Sequence, residues 1–152
     1  MTTVPSEQPA PATPSPAAGI PASSRRLHMG LWVAQGLLAL VFGMAGSLKL
    51  FAPIADLAEK MSWVKDSSPA LVRFIGASEL AGALGLILPS LTRILPKLTG
   101  LAALGLLLVM ILGGAVHVLH GEANRLPVNV LLAGLAGFIA WGRLRAAAIP
   151  PR

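Results

Sequence analysis

Four long apolar runs, each stopped by a cation or a histidine, decide what this chain can fold into. They are residues 31–48 (LWVAQGLLALVFGMAGSL), closed by Lys49; residues 74–92 (FIGASELAGALGLILPSLT), between Arg73 and Arg93; residues 98–116, between Lys97 and His117; and residues 126–142, between Arg125 and Arg143. Their lengths of 17 to 19 residues match the roughly 17–25 needed to cross a bilayer. The expected fold class is all-α, an integral membrane four-helix bundle whose main partner is lipid. The fourth run is the shortest, and Arg125 and Arg143 at its ends are expected to snorkel toward the interfaces.

Composition agrees. Charged residues make up 12% of the 152, about half of what a soluble domain carries. The net charge of +6 points to topology rather than nucleic acid, because the cations sit at the ends of apolar runs. No tyrosine is present, and no basic-aromatic interleaving offers a surface on which bases could stack. The absence of cysteine excludes thiolate nucleophiles, Fe–S clusters, Cys-ligated zinc and covalent haem within this chain. Any redox role must use a non-covalently bound cofactor or a partner.

Residues 1–24 are rich in Pro, Ala, Ser and Thr, with Glu7 the one charged side chain. They read as a disordered cytoplasmic tail rather than a signal peptide. The membrane domain is expected over 29–145, with a short C-terminal tail over 146–152. Between the first two spans, Ile54, Leu57, Met61 and Val64 fall on one helical face. The spacing predicts a short amphipathic helix on the membrane surface, anchored by Trp63. Ser67-Ser68-Pro69 reads as an N-cap region followed by a first-turn proline.

Seven Lys and Arg (Arg25, Arg26, Arg93, Lys97, Arg143, Arg145, Arg152) fall on one side of such a bundle and five (Lys49, Lys60, Lys65, Arg73, Arg125) on the other. The positive-inside rule then places both termini in the cytoplasm. Short connections make successive spans antiparallel neighbours.

Each run carries a row of small or polar residues at steps of three or four: Gln35, Ala39, Phe42, Gly46, Lys49; Val72, Gly76, Glu79, Ala83, Leu86; Leu106, Met110, Gly113, His117, His120; and Val130, Gly134, Gly137, Trp141. Small residues let helices approach closely in lipid, so these rows are expected to form the bundle seam. Glu79 stands out. A charge in the hydrocarbon costs about 2.5–3.5 kcal/mol at mid-helix and less toward the end, so it should face inward with a partner. Arg73, six positions away on the same helix, points about 240° around it. Lys49 lies on the polar row of the antiparallel first span and is the expected partner, with His117 as an extension of the pair. Glu79 is then a structural ion pair, a proton-handling or ligand-binding carboxylate, or a hydrogen-bonded acid without a role. His117 and His120 are spaced to chelate, but with only Glu122 nearby neither metal nor haem is expected.

The pieces FGMAGSLKL (residues 42–50), RFIGASELAGALGLILP (residues 73–89), HVLHG (residues 117–121) and the closing WGR (residues 141–143) together resemble the DoxX family of small four-helix membrane proteins. The resemblance spans roughly residues 29–145. It implies a bundle in the bacterial cytoplasmic membrane, with some relatives linked to thiosulfate–quinone oxidation or to membrane oxidoreductase complexes. It also makes Lys49 and Glu79 the family's recurrent buried charges. The leading expectation is an accessory subunit without catalysis of its own. It would bind a quinone-like lipophile or a partner protein, with Gln35, Lys49, Glu79 and His117 lining the polar part of the cavity. A structural or assembly protein is the alternative. A proton-coupled carrier, which would need a homo-oligomer, is the third.

Overall fold

The computed structural model describes residues 22–152. Among the described residues there are six α-helices: α1 (Ala22–Phe51), α2 (Ile54–Lys60), α3 (Ser62–Lys65), α4 (Pro69–Thr92), α5 (Lys97–Leu119) and α6 (Leu126–Trp141). A 3-10 turn (Ala123–Arg125) leads into α6, and a π-helical turn (Gly142–Ala146) ends it. No strand occurs among the described residues. Most of the Pro/Ala/Ser-rich stretch lies outside the described residues, but residues 22–24, expected to belong to that tail, already open α1.

Among the described residues, four segments are long and apolar enough to cross a membrane: Arg25–Phe51, Pro69–Thr92, Lys97–Leu119 and Ala123–Ala146. At 1.5 Å per residue they run about 35–40 Å, longer than the hydrocarbon core. α1 packs on α4, α4 on α5 and α5 on α6, while α6 touches α1 more lightly and closes the ring. Large apolar side chains such as Val33, Leu40, Met44, Leu84, Leu108, Ile111 and Leu131 are exposed around the outside. In water this band would drive aggregation; in lipid it is the solvated face.

The core is thin, and half of its buried residues are alanines. Ala34, Leu38 and Phe42 of α1 meet Ala83 and Leu86 of α4, Ala103 and Leu106 of α5, and Ala136, Ile139 and Ala140 of α6. The rows on α1 and α4 are the seam: Gln35, Phe42, Gly46 and Lys49 are buried, as are Val72, Gly76, Glu79, Ala83 and Leu86. The row on the fourth span is not. Val130, Gly134 and Trp141 face outward more than inward, and α6 buries Ala136, Ile139 and Ala140 instead. Both faces of α6 are apolar, so composition carries little information about which one meets protein. The polar inward residue on α6 is Asn129, which donates to Met110 Sδ at 3.5 Å.

The expected surface helix is broken in two. Met61 adopts an extended conformation (φ −134°, ψ 104°) between α2 and α3. Its apolar face survives the break, since Leu57 and Val64 bury against Val72 at the start of α4 and form a second small core. α4 begins as its sequence specifies: Ser68 Oγ accepts from the Leu71 amide at 3.2 Å, and Pro69 occupies the first turn, where its missing N–H is harmless.

Candidate functional site

Two glycines set up the first polar centre. A Cβ placed on Gly46 would lie 2.7 Å from the Gly76 carbonyl oxygen, and one on Gly76 would lie 2.8 Å from Lys49 Cβ and 2.9 Å from the Gly46 carbonyl oxygen. α1 and α4 therefore cross backbone to backbone, which side chains would prevent. Lys49 stands opposite Gly76 and Glu79 opposite Gly46, so the close antiparallel crossing leaves the two side chains to meet between the helices. Lys49 Nζ donates to Glu79 Oε1 at 2.9 Å and to Oε2 at 2.7 Å. With Lys49 8% and Glu79 3% exposed, this is a buried pair rather than a surface one. Arg73 serves the backbone instead. Its guanidinium donates to the carbonyls of Lys49 (2.6 Å) and Ala52 (2.7 Å), closing the C-terminal turn of α1.

Beside this pair is a cavity of about 340 Å³. Its polar edge is Lys49, Glu79, Ser78, His117 and Asn129; its walls are apolar side chains of α4 and α5, including Leu71, Phe74, Ile75, Val109, Leu112 and Val116, with Trp63 of α3 at its rim. Trp63 thus borders a cavity, a position beyond the simple interfacial anchor expected of it. His117 shares the cavity with the pair but bonds elsewhere. Its Nδ1 lies 2.6 Å from Glu122 Oε2, and Ser62 Oγ donates to the other oxygen of the same carboxylate. Glu122 therefore ties α3 to the end of α5 across the rim. A second tie joins His120 Nε2 to Asp66 at 3.5 Å.

Glu122 lies in the loop between two spans. The Ser62 hydroxyl first, then the His117 ring, and at longer range Arg125, hold its carboxyl below the ordinary value of 4.5. A carboxylate with a lowered folded-state pKa contributes stability above its unfolded value and loses it as pH falls through the folded one. The emission of Trp63, in a protein whose Trp32 and Trp141 are replaced by Phe, should show a transition as the pH drops below 4.5. Glu122→Gln should abolish that transition. An unchanged transition in the variant would assign the effect to other groups.

Gln35, expected to share a cavity with Lys49, Glu79 and His117, lies at the opposite end of the bundle. Gln35 Nε2 donates to the Leu86 carbonyl at 2.5 Å and, at 3.4 Å, to Ser90 Oγ, which pairs with Thr99 Oγ1 at 2.8 Å. Gln35 Oε1 accepts from Arg143 Nε at 2.6 Å. Heptad-like spacing puts Gln35 and Lys49 on one face of α1, but the helix between them is about 21 Å long, too far for one small cavity. Arg143 also departs from expectation: instead of snorkelling outward it is 2% exposed. The π-helical turn at Gly142–Ala146 carries it inward, and Gly142 packs against the Leu31 side chain with no room for a Cβ. The sequence signal for this contact is Gln35 itself, an amide inside an apolar run that needs a partner.

Residues 33–139 match the DoxX-like family. Neither a curated protein nor a solved structure matches the chain. The match covers all of α2 to α5 and most of α1 and α6, and so contains the Gly46–Lys49 and Gly76–Glu79 pieces and the cavity beside them. With four apolar spans and more than two thirds of its length in that match, the chain is a multi-pass membrane protein and belongs to the DoxX-like family.

Proposed function

We propose that this protein is an accessory subunit of a membrane-associated oxidoreductase system and that the cavity beside Lys49 and Glu79 binds a quinone-class lipophile. The subunit performs no chemistry alone; it holds the ligand for a partner. It sits in the bacterial cytoplasmic membrane with both termini in the cytoplasm, as the seven-to-five distribution of cations favours.

The observation that carries this reading is the composition of the cavity wall. About 340 Å³ of space falls at the lower end of small-ligand sites, which combine apolar walls with a few placed polar groups. Phe74, Val109 and Leu112 suit a ring and a prenyl chain, while Asn129 and the Lys49 ammonium can donate to a carbonyl oxygen. The helical walls border lipid, so a lipophile reaches the site without crossing water.

Mass spectrometry of the protein purified in mild detergent tests this directly. A quinone should co-purify with the wild type and fall by about tenfold or more in Val109→Trp, which fills the cavity wall. Glu79→Gln should lower it as well, because the rearranged Lys49 no longer presents the same donor. Lipophile retained at wild-type level in a folded Val109→Trp protein would rule out this cavity as the site.

A further inference from the structure

The end of the bundle away from the ion pair has too many hydrogen-bond donors and too much positive charge. Arg143 is 2% exposed, yet no carboxylate reaches it among the described residues. Its Nε is satisfied by Gln35, its Nη1 has a 3.4 Å contact with the Ala147 carbonyl, and its buried Nη2 has no hydrogen-bond partner among the described residues. The remaining contacts are to His28, whose Nδ1 lies 3.2 Å from Nη1, and to the Trp32 ring, whose centroid is 5.3 Å from the guanidinium carbon.

His28 cannot satisfy both of its neighbours. Trp32 Nε1 can only donate, and it lies 3.1 Å from His28 Nε2. A neutral imidazole has one acceptor nitrogen, so if Nε2 accepts from Trp32, Nδ1 carries the proton and faces an arginine N–H, donor against donor. If the tautomer is reversed, the indole loses its acceptor. A buried guanidinium with two neutral acceptors, one unpartnered nitrogen and no counter-charge among the described residues is costly, because nothing of opposite sign there compensates its desolvation.

His28 and Trp32 also border an open cavity of about 290 Å³, lined further by Ser90, Leu91, Arg93 and the C-terminal residues Ile149 and Pro150. It therefore joins an exposed arginine, two donor-bearing rings that touch a buried arginine, and a serine hydroxyl. The species that answers a surplus of donors and positive charge is an oxyanion, with several acceptor oxygens and no protons to contribute. We propose that this cavity is a binding site for a phosphate group, held by Arg93 and by the N–H groups of His28 and Trp32, whose charge compensates Arg143 behind them. At the end of the spans, the phosphate can belong to a lipid headgroup or to the free anion; basic pockets between transmembrane helices commonly take lipid headgroups. The site is separate from the proposed lipophile cavity and stands without it.

The test uses the full-length protein in dodecylmaltoside micelles, whose headgroups carry no phosphate, with thermal unfolding as the readout. One arm adds increasing phosphatidylglycerol; the other adds inorganic phosphate against chloride at equal ionic strength. A saturable rise in unfolding temperature is expected in at least one arm. A response to phosphatidylglycerol alone assigns the lipid, and a response to inorganic phosphate assigns the free anion. Arg93→Gln should raise the midpoint concentration by about tenfold or more, the loss of one charge-assisted contact. Arg145→Gln removes the same charge from the same end but lines no part of the cavity, and it should leave the midpoint within about twofold. No saturable rise in either arm, an equal rise with chloride, or equal losses in the two variants would overturn the proposal.

Discussion

Replacing Glu79 alone with Leu is expected to destabilise the protein by about 3–5 kcal/mol, because the Lys49 ammonium stays buried with no counter-charge. Lys49→Met alone should cost a similar amount, since it strands the carboxylate. Replacing both, as Lys49→Met with Glu79→Leu, should recover nearly all of the loss or exceed the wild type by about 1 kcal/mol or more, because a buried pair removed whole takes its own desolvation cost with it. Reversible unfolding in mixed detergent micelles, run as a double-mutant cycle, measures this. Additive losses in the double variant would mean that the two side chains do not act as a pair. The same four proteins separate a binding role from a structural one. If the pair only sets the crossing of α1 and α4, the stable double variant keeps function; if it supplies the polar edge of the cavity, the double variant folds but no longer retains the lipophile.

Gly46→Val is the second substitution with a large expected effect, a loss of about 3 kcal/mol. Its Cβ would meet the Gly76 carbonyl oxygen at 2.7 Å and the Leu80 amide nitrogen at 2.8 Å. Both are backbone atoms inside a helix and cannot step aside as a side chain would. The helices must separate, and the ion pair at the crossing is pulled apart with them. The loss should therefore be smaller when measured in the Lys49→Met, Glu79→Leu background, where no pair remains to break. Gly36 and Gly134 provide the contrast. Nothing lies within 4 Å of a Cβ at either position, so alanine there should leave stability within about 1 kcal/mol or raise it slightly through better helix propensity. Equal losses at Gly46 and Gly134 would mean that backbone conformation, and not close packing, sets the cost.

Much of this architecture is legible in the residues themselves. Length and polarity specify the four spans, because a bilayer has a set thickness and admits long apolar segments only as helices. The Lys49–Glu79 pairing is legible for a related reason. A charge in hydrocarbon needs an opposite charge, and Lys49 is the cation that stands on an inward row near enough to Glu79. Ser68-Pro69 is legible because capping is local chemistry. What the residues hide is direction. In lipid the outward and inward faces of a helix are both apolar, so the hydrophobic pattern that orients a helix in water says little here. Val130, Gly134 and Trp141 have the spacing of a seam for that reason, and yet they face away from the core.

The class of the protein, its spans and the Lys49–Glu79 pair follow from the residues alone, because each is set by the cost of placing a given group in hydrocarbon. Which polar groups share a site is a matter of tertiary structure. Gln35 meets Arg143, 108 positions away, rather than Lys49 on its own helix, and His117 bonds to Glu122 rather than to the ion pair. The depth of a residue along its helix sets what it can reach, and the π-helical turn that brings Arg143 inward depends on how the end of α6 packs against Leu31. Contacts of that kind exist only once the four helices are side by side.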